Sequence, residues 1–453
     1  LYMKKLIPTL CALSGFAMVG TAFADGHEAP DIIFISENNP AQDAIEEIVV
    51  EEYNAQEREA LRESDLQAWE DYEDVAWDDI PQAERDARYN EIKNALGLND
   101  DDPQDLNFTR FLEAAGYVVH RSTSTREEDP ITGNITEDHE FWPDIGESQE
   151  DDEYNLSQEQ IDRLNAADLI IFSADTSHGH YARGRSGGEW DFSLRDQWNA
   201  ITTPIISMNG ELTRTHEWND WGWGFTYGYS GQYDMVSAID RENTDPRFVF
   251  PDLRPQVITD DADFLAGVTQ VDDQRVDIYD TALFPELPST SKKFDNNLNF
   301  GYPAHNNVVL ELQIPSFFNA EVGEITTRDP VMIEFQAGVA GFTPEDSTPP
   351  AEEVGTPAGP RLYFAAGTAG TALWNLSETG ETVLANAVAK YAGEPSGRMW
   401  HGYPVDADGF VDTGIGGWLN GFVYVENDPY VYVYSMGKYI YVGDDSGWMY
   451  VPK

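Results

Sequence analysis

Two groups of polar residues stand just beyond short apolar runs, and their types are those of acid–base and metal chemistry. Asp175, His178 and His180 follow the run 168–173 (DLIIFS). Two imidazoles two positions apart with a carboxylate nearby supply part of a zinc-type ligand set, which needs three or four donors. The same residues also suit the polar lining of a cleft. Asn209, Glu211, Arg214, His216 and Glu217 follow the run 204–208 (PIISM). Arg214 offers the planar fork that clamps a carboxylate or sulfate, or it pairs with Glu211 or Glu217 and fixes the turn. Glu211 and His216 have the side chains for proton transfer.

Three further patterns carry a chemical reading and a plainer one. Gly184-Arg185-Ser186-Gly187-Gly188 spells the G-x-S-x-G of a hydrolase elbow. That mechanism needs its serine on a tight turn directly after a strand. Here the nearest strand ends near Ser173, so a glycine-rich loop is expected. Trp218, Trp221 and Trp223 cluster with Tyr227 and Tyr229. Such rings either stack on sugars or fill a core or interface. Asp406, Asp408 and Asp412 in DADGFVD make half of a calcium loop without its closing Glu. Calcium and zinc are therefore the metals to consider, and neither ligand set is complete.

Elements of two kinds must position these groups. Short apolar runs at 31–36, 117–120, 168–173 and 204–208 read as buried strands. Helical stretches separate them: 41–97 with a break at Pro81, 106–115 closed by Gly116, a segment started by a Ser157/Gln160 capping box, and 194–201. Apolar strands alternating with helices indicate a parallel sheet covered on both faces. Ligands of such sheets bind beyond the carboxyl ends of the strands, where both polar groups fall. Later strands are expected at 308–312, 331–335 and 362–365. A last helix at 377–391 has Ser377 as N-cap and Gly393 as stop. Residues 41–100, 122–157 and 225–300 read as insertions. After a linker at 394–397, residues 398–453 turn dense in aromatics. Tyr424, Tyr432, Tyr441 and Tyr450 recur at spacings of 8, 9 and 9, the pattern of an antiparallel meander.

Composition limits the partners. The chain has 453 residues, with 82 acids against 27 Lys and Arg and a formal charge of −55. Such a surface repels nucleic acid and anionic membranes, and salt must screen it, as in a salt-adapted organism. Lys4 and Lys5, the apolar run 6–22 and the phrase Ala22-Phe23-Ala24 have the form of an export signal, residues 1–24, cleaved before Asp25. This predicts a periplasmic, cell-surface or extracellular protein without a transmembrane segment. The single cysteine, Cys11, falls inside that signal. The mature chain then has no thiol nucleophile, thiolate metal site or disulfide.

The phrases DLIIFSADTSHGHYA and QWNAITTPIISMNGELTRTHEW, with RLYFAAG and WNLSETGETVLANAV near the end, resemble the ThuA-like branch of the class I glutamine amidotransferase-like superfamily. The resemblance covers about 31–393 in outline and implies a flavodoxin-like α/β domain, here 25–393 with its insertions. The superfamily's amidotransferases use a cysteine nucleophile, so that activity is excluded, and the branch is loosely tied to sugar utilisation. The tail resembles a small aromatic module of exported proteins from marine bacteria of the Verrucomicrobia type. Three functions follow as expectations. The first is non-catalytic binding of glycan, polysaccharide or surface matrix, with Asp175, His178, His180, Asn209, Arg214, Trp218 and Trp221 as ligand-binding residues. The second is a carbohydrate-related enzyme with its site at the strand ends around His178, His180, Glu211 and His216. The third is a structural surface protein that assembles through 398–453.

Overall fold

The run Asp31–Ile35 (β1) has four consecutive residues, Ile32 to Ile35, with no exposed surface at all. A strand of that kind must lie inside a sheet covered on both faces. The computed structural model places it there. It describes residues 29–64, 75–122, 124–128, 135–141, 155–176, 179–182, 184–186, 189–191, 193–216, 223, 226–228, 248–249, 256–257, 262–270, 275–280, 282–283, 308–319, 324–340, 355–367 and 371–393, and seven short strands between 399 and 450. The expected export signal and Cys11 lie outside the described residues.

Next to β1 lie β2 (Val118–Arg121) on one side and, on the other, β5 (Leu169–Phe172), both parallel to it. Between β2 and β5 the chain forms a hairpin, β3 (Ser124–Glu128) with β4 (Ile135–His139). After β5 come a second hairpin, β6 (Gly184–Ser186) with β7 (Glu189–Asp191), and then β8 (Ile205–Ser207), parallel to β5. The pair β9 (Arg214–His216) and β10 (Thr226–Gly228) is parallel and stands apart from the main sheet. Two short strands, β11 (Phe248–Val249) and β12 (Gln256–Val257), pair with β13 (Val308–Asn319). Antiparallel to β13 runs β14 (Glu324–Phe335), followed by β15 (Arg361–Phe364). The sheet order is β11-β13-β14-β15-β8-β5-β1-β2, with β12 also on β13.

The expected parallel sheet is thus mixed. Five strands are parallel, and β14 and β13 extend them antiparallel from β15. The physical reason is connection length. A single loop between β13 and β14 suffices for an antiparallel neighbour, whereas a parallel one needs a crossover. In chain order the five parallel strands lie as 2-1-3-4-5. The order reverses between the first and third of them, β1 and β5.

Helices cover this sheet. Phe108 and Leu112 of helix Leu106–Ala114, Leu164 of helix Gln158–Ala166, Trp198 of helix Ser193–Ala200 and Val383, Leu384, Ala387 and Val388 of helix Glu378–Ala392 share one core with the strands. The Ser157/Gln160 capping box forms as expected, and Ser377 caps the last helix by accepting from Gly380 N–H. The acidic stretch after β1 includes helices Ala41–Ser64 and Gln82–Leu96, the second opening after Pro81. A smaller core of Ile45, Ile48, Val49, Ile92 and Leu373 seals them to the domain. Arg88 bridges them through both oxygens of buried Glu52, at 2.6 and 2.8 Å.

Strands β16 (Met399–Trp400) and β17 (Tyr403–Pro404) pair with each other. Beyond them β18 (Phe410–Asp412), β19 (Phe422–Tyr424), β20 (Tyr430–Val433), β21 (Lys438–Val442) and β22 (Met449–Tyr450) form an antiparallel meander. Its register sets Tyr424 opposite Tyr432, and Tyr441 opposite both Tyr430 and Tyr450. Among the described residues no helix is long and apolar enough to cross a membrane.

Candidate functional site

The strand order reverses between β1 and β5, and in open α/β sheets ligands bind beyond the carboxyl ends of the strands at such a reversal. Ser36, Glu37 and Asn38 leave β1, and Ser173, Ala174, Asp175 and Thr176 leave β5. The two turns meet. Asp175 has the Ser36 hydroxyl and the Glu37 N–H each at 3.5 Å from one of its oxygens.

The β1 turn is held open by an unusual backbone. Asn38 has φ +56°, the only non-glycine residue among those described with positive φ. Asparagine tolerates this left-handed conformation better than most residues. Its N–H donates to Ser36 Oγ at 2.9 Å, and its side chain donates to the Ser122 carbonyl at 3.1 Å and accepts from Arg121 Nε at 2.8 Å. Arg121, at the end of β2, also pairs with Asp105 and donates to Ser36 Oγ at 3.1 Å. Asp105 is fully buried, and its Oδ2 has no hydrogen-bond partner among the described residues.

His139 comes from the 122–157 insertion and is buried against this turn. Its Nε2 lies 2.8 Å from the Ser36 carbonyl and 3.0 Å from Ser122 Oγ. A carbonyl only accepts, so Nε2 carries the hydrogen and Nδ1 receives the Phe141 N–H. Burial, the largest cause, holds the ring's pKa below its ordinary 6.5. His139 is therefore a neutral strut, and the 122–157 stretch reaches this turn. Helix Gly179–Ala182 brings His180 to 3.5 Å from Glu37.

Asp175 is the group most perturbed by this arrangement. Its pKa is pushed up to about 7, first by burial, then by the charge of Asp105, with Glu37 adding to it and Arg121 opposing. The residue as a whole is half-buried. A carboxyl that takes and gives a proton near neutrality is equipped for acid–base work or for recognising a hydrogen-bond donor.

The structure brings together part of the expected site. Asp175 and His180 lie in the cluster, and His178 is outside the described residues. Asn209 is buried, and its amide donates to the Thr176 carbonyl at 2.5 Å, tying the β8 turn to the β5 turn. It positions the edge and does not face outward. Glu211 lies on a short 3-10 turn, Gly210–Thr213, and Arg214 and His216 on β9. Glu217, Trp218 and Trp221 are outside the described residues, as are Asp406 and Asp408. Asp412 ends β18. Trp223 is a core residue, 5.2 Å from Phe172 ring to ring, with its N–H on the Tyr181 carbonyl. Gly184–Ser186 forms a strand paired with Glu189–Asp191, so Ser186 stands on no elbow. Among the described residues no three His, Cys, Asp or Glu side chains converge to hold a metal.

Ser36, Glu37, Asn38, Asp105, Arg121 and His139 escaped the sequence reading. The signal that could have found them is the polar Ser-Glu-Asn-Asn directly after an all-apolar strand. No family model, curated protein or solved structure matches the chain.

Proposed function

We propose that this chain is an exported, salt-adapted protein that binds a hydroxyl-rich, carbohydrate-like ligand at the carboxyl edge of its sheet, between the ends of β1 and β5. The observation that carries this reading is Asp175. It sits at the reversal of strand order, with the Ser36 hydroxyl and the Glu37 N–H each 3.5 Å from one of its oxygens. Carboxylates beside hydroxyls and amides are the groups that accept from and donate to sugar hydroxyls.

The 2-1-3-4-5 order supports a flavodoxin-like reading of residues 25–393 and, with it, the ThuA-like resemblance. The tyrosine-paired meander supports reading 398–453 as a separate aromatic module. Export rests on the form of residues 1–24.

The test is depletion of the chain from high-salt solution by a panel of insoluble polysaccharides, beside its Asp175→Ala variant. Retention on one polysaccharide, lost in the variant, is the expected result. No retention on any of them, or equal retention of the variant, removes the site from this position. A second reading, a carbohydrate-related enzyme, is favoured by the same carboxyl beside the Glu37–His180 pair. It predicts turnover of the retained polysaccharide that disappears in Asp175→Asn.

A further inference from the structure

The register of the C-terminal meander sorts its residues by face. Successive residues of a strand alternate between the two faces, and directly paired residues share one. Phe410, Tyr424, Tyr432 and Tyr439 pair in turn across β18, β19, β20 and β21. Tyr430, Tyr441 and Tyr450 pair across β20, β21 and β22. Tyr430 and Tyr432 stand two apart on β20, so both rows fall on the same face. With strands about 4.8 Å apart, the rows span about 14 and about 10 Å, and they overlap on β20 and β21. The strand positions of the opposite face take valine, isoleucine and methionine, with Lys438 as the exception.

A small sheet is stable only when a hydrophobic face is buried. Aliphatic side chains carry no polar atom, whereas tyrosine keeps a hydroxyl that needs water or a partner. The aliphatic face is therefore the one suited to packing inward, and the tyrosine face the one suited to recognition. Charge narrows what it can recognise. Its strand positions hold one charged residue, Asp412, in a chain whose residues are 24% charged. Nucleic acid stacks on aromatic platforms but needs a basic groove for its phosphates, and this chain is formally −55. Acidic polysaccharides meet the same repulsion, and a second copy would bring its own −55 to the contact. An uncharged polysaccharide offers C–H faces to the rings and hydroxyls to the tyrosine hydroxyls.

We propose that the tyrosine rows of the meander are a second binding surface, which stacks on the sugar rings of an uncharged polysaccharide. This surface stands on residues separate from those of the carboxyl-edge site and does not depend on it. A chain that holds one polymer at two places gains retention from each.

The experiment is depletion of the full chain from high-salt solution by microcrystalline cellulose and by chitin, two uncharged polymers, beside an alginate gel. The chain should be retained on cellulose or chitin and not on alginate. A Tyr432→Thr, Tyr439→Thr double variant should bind at least about tenfold more weakly, the loss expected of two ring contacts. The Tyr432→Phe, Tyr439→Phe double variant keeps the rings and should stay within about threefold of the unmodified chain. Nitration by tetranitromethane, mapped by mass spectrometry, reads the same face without a substitution that could unfold the sheet. Tyr432 and Tyr439 should be nitrated in the free chain and spared on the polymer. Tyrosines that resist nitration in the free chain, or no retention on either uncharged polymer, overturn the proposal. Loss of retention in Asp175→Ala with equal retention of the threonine variant also overturns it and leaves the carboxyl-edge site standing. Loss in the threonine variant with Asp175→Ala unchanged upholds the tyrosine face and removes the edge site.

Discussion

At the amino edge of the parallel strands a single cation, Arg361, is buried to 1% exposure at the start of β15. Among the described residues it makes no ion pair with a carboxylate. Its guanidinium donates to the carbonyls of Thr203 and Pro360 at 3.0 Å, Trp198 at 3.1 Å and Ile201 at 2.6 Å. These carbonyls include the end of helix Ser193–Ala200, where the helix dipole favours positive charge. Burial lowers the Arg361 pKa to about 9, and the group still carries its charge at neutrality. At the carboxyl edge, carboxylates gather instead, Asp105 keeps an oxygen without a partner, and Asp175 is left half protonated near pH 7. One edge meets its buried charge with four main-chain carbonyls and leaves only Nε of the Arg361 guanidinium without a partner among the described residues. The other keeps polar capacity in reserve. The difference separates a charge that holds the fold together from charges available to a ligand.

Substitutions can break or sharpen that contrast. Arg361→Met should have the largest effect, at least about 3 kcal/mol of lost stability, because buried carbonyls lose their donor. Urea unfolding measures it, and a loss below about 1 kcal/mol would mean that water replaces the guanidinium.

Asp175→Asn should act in the opposite direction. The folded pKa is raised from 3.8 to about 7. The penalty for ionising Asp175 is therefore absent below the unfolded value and grows as pH rises, reaching its full size above about 7. The variant should gain about 2 kcal/mol at pH 8, discounted for partial exposure, and almost nothing at pH 4. Thermal melts at the two pH values decide this. Equal stability of variant and parent at pH 8 would sink the picture of a frustrated carboxyl.

Asn38→Val should cost about 1–2 kcal/mol, since a β-branched residue resists the left-handed backbone. Asn38→Gly should recover part of the loss by relieving the backbone alone. Ser157→Ala should cost only about 0.5–1 kcal/mol through its lost cap. If it cost as much as Arg361→Met, stability would not be concentrated at the amino edge.

The strands and helices of the domain were legible because each carries a local signal. β1, β5 and β8 are apolar without alternation, Pro81 and Gly116 punctuate, and Ser157 and Ser377 cap. The two polar turns after β5 and β8 were legible as strand-end turns by the same route. Arg121 and Asp105 were not, because nothing along the chain distinguishes them from other charged residues. His139 was hidden inside an acidic stretch that reads as surface.

Residue type and order, by themselves, determined the alternation of strands and helices, the excess of acids and the single cysteine, Cys11. These are local or additive properties, so the sequence holds them in plain form. Only the tertiary structure decided which charges meet. Asp105, Arg121, His139 and Asp175 come from four separate segments, and their pairings depend on the 2-1-3-4-5 strand order and on the antiparallel addition of β13 and β14. Electrostatic energies depend on distance in space and on burial, neither of which is written along the chain.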